Sequence, residues 1–88
     1  MKRGKLEIMR DILKIIQDNH NYIKSTPLLR KSNLSSSRFK EYYLDLLSRG
    51  FIKEISAKNQ RFVSLTEKGF KFIEKYKTIV NFIEEFEL

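Results

Sequence analysis

Apolar residues recur along this chain with two periods, and the changes of period mark the elements. Leu6, Met9, Leu13 and Ile16 fall three or four apart and Ile12 widens the stripe, which predicts a first helix over Leu6–Asn19. Ile8 and Ile15 lie off the edge of that stripe, free to pack on another part of the fold or on a partner. Asn19-His20-Asn21 ends the helix, and Tyr22-Ile23-Lys24 is an extended piece short enough to pair with the edge of a hairpin. Helical spacing then returns. Thr26 as N-cap and Pro27 at the first helical position predict a helix of about two turns, because proline there gives up an N–H that has no partner. Its Leu28 and Leu29 face inward, and Arg30 and Lys31 face outward. After the turn Ser32-Asn33-Leu34, Ser35 or Ser36 is a good N-cap, since a short hydroxyl accepts from the free N–H groups of the first turn. Phe39, Tyr43, Leu46 and Leu47 share one face of the helix that follows, and Gly50 stands where a left-handed residue stops it. Two helices joined by so short a turn are a helix-turn-helix.

The period then drops to two. Phe51–Ile55 reads as a strand, Ser56–Gln60 as a polar turn and Arg61–Leu65 as the returning strand. Thr66 caps a final helix, with Glu67 suited to its positive start, and the helix runs to about Glu85. Ile73, Tyr76, Val80 and Ile83 step as a coiled-coil seam does, and Phe72, Ile79 and Phe86 make a second line seven apart. A helix of that length extends about 30 Å. So small a domain leaves its far half uncovered unless the helix folds back over its own core. Large exposed apolar patches usually mark an interface. Phe72, Tyr76, Ile79, Val80, Ile83 and Phe86 are therefore the candidate homodimer contacts, antiparallel pairing being favoured over parallel. The expected fold is α+β, mostly α: a winged helix-turn-helix with a two- or three-stranded β-wing over residues 1–65, continued by a dimerisation helix over residues 66–88 of the same single domain.

Composition narrows the function. The 88 residues are 41% hydrophobic and 33% charged, as a globular domain requires. No apolar run approaches the length of a membrane span, and Glu7, Arg10 and Asp11 interrupt the first stripe, so no signal peptide is read and a cytoplasmic location is expected. Without cysteine, disulfides and thiolate metal sites are excluded. His20 has no acidic or second histidine partner at ligand spacing, so no metal or other cofactor is expected. One histidine, no glycine-rich phosphate loop and no paired acids set beside a base argue against an enzyme, and no small-molecule pocket is marked. The net charge is +7, unevenly spread: +6 over residues 1–50, +2 over 51–61 and −1 over 62–88. A polyanion-facing part and a separate assembly part follow from that asymmetry.

The third helix, about 36–48, has the outward character of a recognition helix. Its first turn is short-chained, polar and partly basic, as entry into the DNA major groove requires. Ser36, Ser37, Lys40 and Glu41 are the candidates for base edges, and Arg30, Lys31, Ser35 and Arg38 for phosphates. The wing, about 56–61, offers Lys58, Asn59, Gln60 and Arg61 to the backbone or the minor groove. Lys2, Arg3 and Lys5 form a basic start, read first as a frayed terminus and otherwise as an arm touching phosphates. The partner expected is double-stranded DNA. A nonspecific chromatin or architectural protein and a winged-helix protein-interaction module are the alternatives.

The stretches Asn33-Leu34-Ser35, Phe39-Lys40, Tyr42-Tyr43, Leu46-Leu47 and Gly50-Phe51-Ile52, with Val63-Ser64-Leu65-Thr66-Glu67-Lys68-Gly69, resemble the small archaeal winged-helix DNA-binding proteins, including those of archaeal viruses. The Leu-Thr-Glu-Lys-Gly piece is similar to one found in MarR- and PadR-like winged helices as well. Ser36 departs from the pattern, which often has a larger, frequently aromatic residue there. The resemblance implies dimers held by a C-terminal antiparallel coiled coil, binding double-stranded DNA as regulators or chromatin proteins.

Overall fold

The computed structural model describes residues 3–88, in the order α1 (Lys5–Asp18), β1 (Ile23–Lys24), α2 (Ser25–Ser32), α3 (Ser36–Ser48), β2 (Ile52–Ala57), β3 (Gln60–Leu65) and α4 (Glu67–Glu85). Lys2 of the basic start lies outside the described residues. The strands make one antiparallel sheet in the order β1-β3-β2, a three-stranded wing. The α+β, mainly helical winged helix-turn-helix read from the sequence is the fold observed.

Helix α1 packs on α2, β3 and α4. Because it is covered on several sides, Ile8 is buried along with Met9, Ile12, Leu13 and Ile16, although it lies off the main stripe. Leu6 is the reverse: it belongs to the stripe by spacing but is 60% exposed. It sits beyond the edge of the core, in a shallow apolar depression with Phe51, Phe72, Tyr76 and Ile79. The start of the chain is not frayed at Arg3, whose guanidinium donates to Asp11 Oδ2 and to the Ser32 carbonyl, both at 2.9 Å.

The turn after α1 positions the sheet. His20 and Asn21 both have left-handed backbones, at φ 61° and 57°. Asn21 then accepts from Ser64 Oγ at 2.7 Å through its carbonyl and from the Leu65 N–H at 2.6 Å through Oδ1. These bonds let Ser64 be buried without an unpaired hydroxyl. β1 lies antiparallel to β3, with Ile23 opposite Val63 and Lys24 opposite Phe62.

Helix α2 begins earlier than its spacing suggests. Lys24 is the N-cap and makes no side-chain cap bond, so Thr26 and Pro27 are the second and third helical residues. The strand feeds straight into the helix and fixes the entry. Pro27 remains compatible because all of the first four helical N–H groups lack an intrahelical partner. Asn33 ends α2 with φ 60°.

In α3, Ser35 is the cap, its Oγ accepting from the Arg38 N–H at 3.3 Å. The helix stops in a Schellman motif: Gly50 at φ 79°, the Phe51 N–H on the Leu46 carbonyl at 3.0 Å and the Gly50 N–H on the Leu47 carbonyl at 3.1 Å. Phe51 is used in this stop, so β2 starts one residue later than expected. The hairpin turn is also tighter than the five-residue reading, since Lys58 and Asn59, at φ 51° and 62°, form a two-residue turn and both strands run out to it.

Thr66 caps α4, accepting from the Gly69 N–H at 3.1 Å and donating to the Gly50 carbonyl at 2.5 Å. Phe72 and Ile73 pack on the core, Phe72 edge-on to Phe51. Beyond them the helix leaves its own domain: Ile79, Phe82 and Phe86 are 58%, 54% and 58% exposed. No helix among the described residues is long and apolar enough to cross a membrane.

Candidate nucleic-acid interface

The buried face of α3 carries Phe39 and Leu46, with Tyr43 and Leu47 half-buried beside them. The helical period therefore turns Ser36, Ser37, Lys40, Glu41 and Leu44 outward, and all five are exposed. Ser35 and Ser37 share this end of the helix, their hydroxyls 3.5 Å apart. The Ser35 hydroxyl accepts from the Arg38 N–H, and the backbone N–H groups of Ser36 and Ser37, like those of any first turn, have no intrahelical partner at the positive end of the helix. Arg38 is exposed on the flank, its guanidinium 6.0 Å from the Tyr42 ring centre.

Arg30 and Lys31 are exposed at the end of α2, where Lys31 Nζ donates to Asn19 Oδ1 at 3.4 Å. Lys58, Asn59, Gln60 and Arg61 are exposed at the tip of the hairpin. The candidates thus fall into three groups on three elements: the first turn of α3, the end of α2 and the wing tip. They form no enclosed pocket and no catalytic arrangement. Among the described residues, no three acidic or histidine side chains gather as a metal site would require.

One contact couples two of these groups. The Tyr43 hydroxyl donates to Glu54 Oε2 at 2.5 Å, joining α3 to the first strand of the hairpin. Burial pushes the Tyr43 hydroxyl above its ordinary value, and the bond to Glu54 and that carboxylate's charge add to this against a smaller opposing effect of Arg61. Glu54 lies across from Val63 and Arg61 across from Ser56, so Glu54 and Arg61 share the face of the hairpin turned toward α3.

A family model matches residues 2–84 of this sequence. The chain belongs to the winged helix-turn-helix family. Solved structures agree on the fold. Sso10a-2, a DNA-binding protein from Sulfolobus solfataricus, superimposes with a TM-score of 0.76 at 20% identity, covering 97% of this chain and 86% of that one. SSV1 F-93 gives 0.70 at 26% identity, and STIV F93, a winged-helix DNA-binding protein, 0.75 at 20%, each covering 90% of this chain and 91% of its own. Among curated proteins, no sequence matches.

Within this winged helix-turn-helix, sequence reasoning missed the roles of three side chains that brace the candidate interface. Arg3 ties the chain start to the end of α2, Tyr43 ties α3 to the wing, and Tyr22 stacks on Phe62 at 4.1 Å to hold β1 against β3. The first two join residues 29 and 11 apart, and no periodicity reports a hydrogen bond over such a separation. The aromatic stack had one signal available, since Tyr22 adjoins β1 and Phe62 lies in β3, and these two strands pair.

Proposed function

We propose that this protein binds double-stranded DNA as a homodimeric winged-helix transcriptional regulator. The observation that carries the reading is the outward face of α3: a capped helix start with open N–H groups, small polar Ser36 and Ser37, and Lys40 one turn on. In the major groove, Ser36, Ser37, Lys40 and Glu41 face base edges. Arg30, Lys31 and Arg38 hold phosphates, with Ser35 at the same helix end. Lys58, Asn59, Gln60 and Arg61 meet the backbone or the minor groove. The net charge of +7 and the DNA-binding description of two of the neighbouring folds support the same partner.

The dimer forms through the free half of α4, where Tyr76, Ile79, Val80, Ile83 and Phe86 lie along one side with Phe72 at its inner end. The exposure of Ile79, Ile83 and Phe86, with Tyr76 and Val80 half-exposed beside them, supports this, since a monomer would leave that stripe in water. Serine bonds to several bases, so specificity from Ser36 and Ser37 alone is modest. An architectural role with little base preference is the second reading, supported by the same serines.

Selection from a random duplex library at two salt concentrations tests the proposal. An enriched, roughly palindromic site supports a regulator. Steep salt dependence without enrichment supports the architectural reading. Absence of binding at low salt overturns both.

A further inference from the structure

The DNA reading leaves unused a cleft between α1 and α4, with a volume of ≈ 750 Å³. Arg10, Lys14 and Gln17 line it from α1, and Ile73, Tyr76 and Lys77 from α4. The Arg10 guanidinium lies 5.0 Å from the Tyr76 ring centre and 3.0 Å from Asp11, while its Nε is buried with no hydrogen-bond partner. Glu7 and Glu74 also stand on the walls, so the basic character is local to Arg10, Lys14 and Lys77. Lys14 is already paired with Asp18 at 2.9 Å, whereas Lys77 makes no ion pair within the described residues.

The end of α4 has the complementary composition. Phe82, Ile83 and Phe86 are exposed there, interleaved with Glu84, Glu85 and Glu87. The helix closes on itself, with Glu87 at φ 55° and the Leu88 N–H on the Ile83 carbonyl at 3.0 Å.

The heptad pattern decides how these two surfaces meet. With Ile73, Tyr76, Val80 and Ile83 in the seam, Phe72, Ile79 and Phe86 form one flank and Lys77 and Glu84 the other. In a parallel pair opposite flanks meet, which sets Ile79 beside Glu84 and Phe72 beside Lys77 of the second copy. In an antiparallel pair like flanks meet, so apolar faces apolar and charge faces charge. Of the two antiparallel registers one heptad apart, one brings Lys77 against Lys77. The other brings Lys77 against Glu84, Ile79 against Phe86 and Val80 against Ile83.

We propose that the α1–α4 cleft receives the acidic, phenylalanine-bearing end of α4 from a second copy, with Lys77 taking its Glu84. This rests on the homodimer reading above and adds to it a register and a seat. Lys77→Glu and Glu84→Lys test it, because both side chains are exposed and neither makes an ion pair within the described residues. Each variant alone puts like charges at both symmetry-related contacts and self-associates about tenfold more weakly than wild type in sedimentation equilibrium. Mixed, the two variants have opposite charges at both contacts and form a heterodimer of wild-type strength. A wild-type dimer whose two variants fail to pair overturns the docking while the dimer stands. A monomeric wild type overturns both.

Discussion

At Tyr43 a single hydroxyl links the recognition helix to the wing, and its ionisation is held back by burial and by Glu54. The sign of its pH effect follows. The folded state binds the phenolic proton more tightly than the unfolded chain, so this contribution to stability is complete below pH 10.0 and is lost as pH rises above it. Urea unfolding of wild type and Tyr43→Phe across that range checks this: wild type loses stability more steeply, because phenylalanine has nothing to ionise. Gly69 makes a second residue-scale case. It lies inside α4, where alanine would ordinarily stabilise the helix by about 1 kcal/mol. A Cβ at this position runs into the Phe51 carbonyl oxygen, which is backbone and already accepts from the Thr66 N–H at 3.1 Å. Gly69→Ala is therefore expected to lower stability by about 2 kcal/mol in denaturant unfolding, the cost of overpacking outweighing propensity.

Under the proposed function, α3 and the wing divide the work of recognition between elements. Side chains on the first two turns of α3 would reach base edges, while those at the wing tip would meet a backbone that is the same in every sequence. Lys40→Ala is expected to weaken binding to a selected site by roughly 1–3 kcal/mol and to relax preference at one or two base pairs. Lys58→Ala and Arg61→Ala are expected to weaken all sequences alike and each to lower the slope of log K against log salt by about one. Binding titrations on selected and scrambled duplexes at several salt concentrations separate the two patterns. The elements also mark how far local pattern reaches. The start of α4 was legible at Thr66 because a cap acts within one turn, and Ser35 was one of two serines legible for the same reason. Thr26 and Pro27 misled because β1 pairs with β3 and hands its chain directly to α2, so a strand contact 38 residues away in sequence sets where the helix begins.

The whole molecule measures 49 × 27 × 21 Å, with charge and apolar surface segregated along the chain. The part carrying α3 and the wing is basic, and the free half of α4 is apolar and weakly acidic. Charge at the centre of an apolar helix pair is costly, because it is desolvated without a partner. Val80→Glu with Ile83→Glu is expected to give monomers by sedimentation while circular dichroism stays that of a folded domain, since Ile83 is exposed and Val80 half-exposed. Such a monomer should also bind a palindromic site more weakly, each half-site then being held alone.

The sequence by itself determined the order and type of every element, most of the inward face of each helix and the outward polar turn of α3. Helical and strand periods, caps and a left-handed glycine act within a few residues, and each is written in the residues concerned. Only the tertiary structure decided which cations stay free and which are spent. Arg3 is drawn to Asp11 and the Ser32 carbonyl, and Leu6 is left in water despite its spacing. It also decided that Tyr43 and Glu54 brace the recognition helix against the wing and that Arg10 flanks an open cleft. These outcomes depend on which distant segments come together, and periodicity along one chain segment does not encode that.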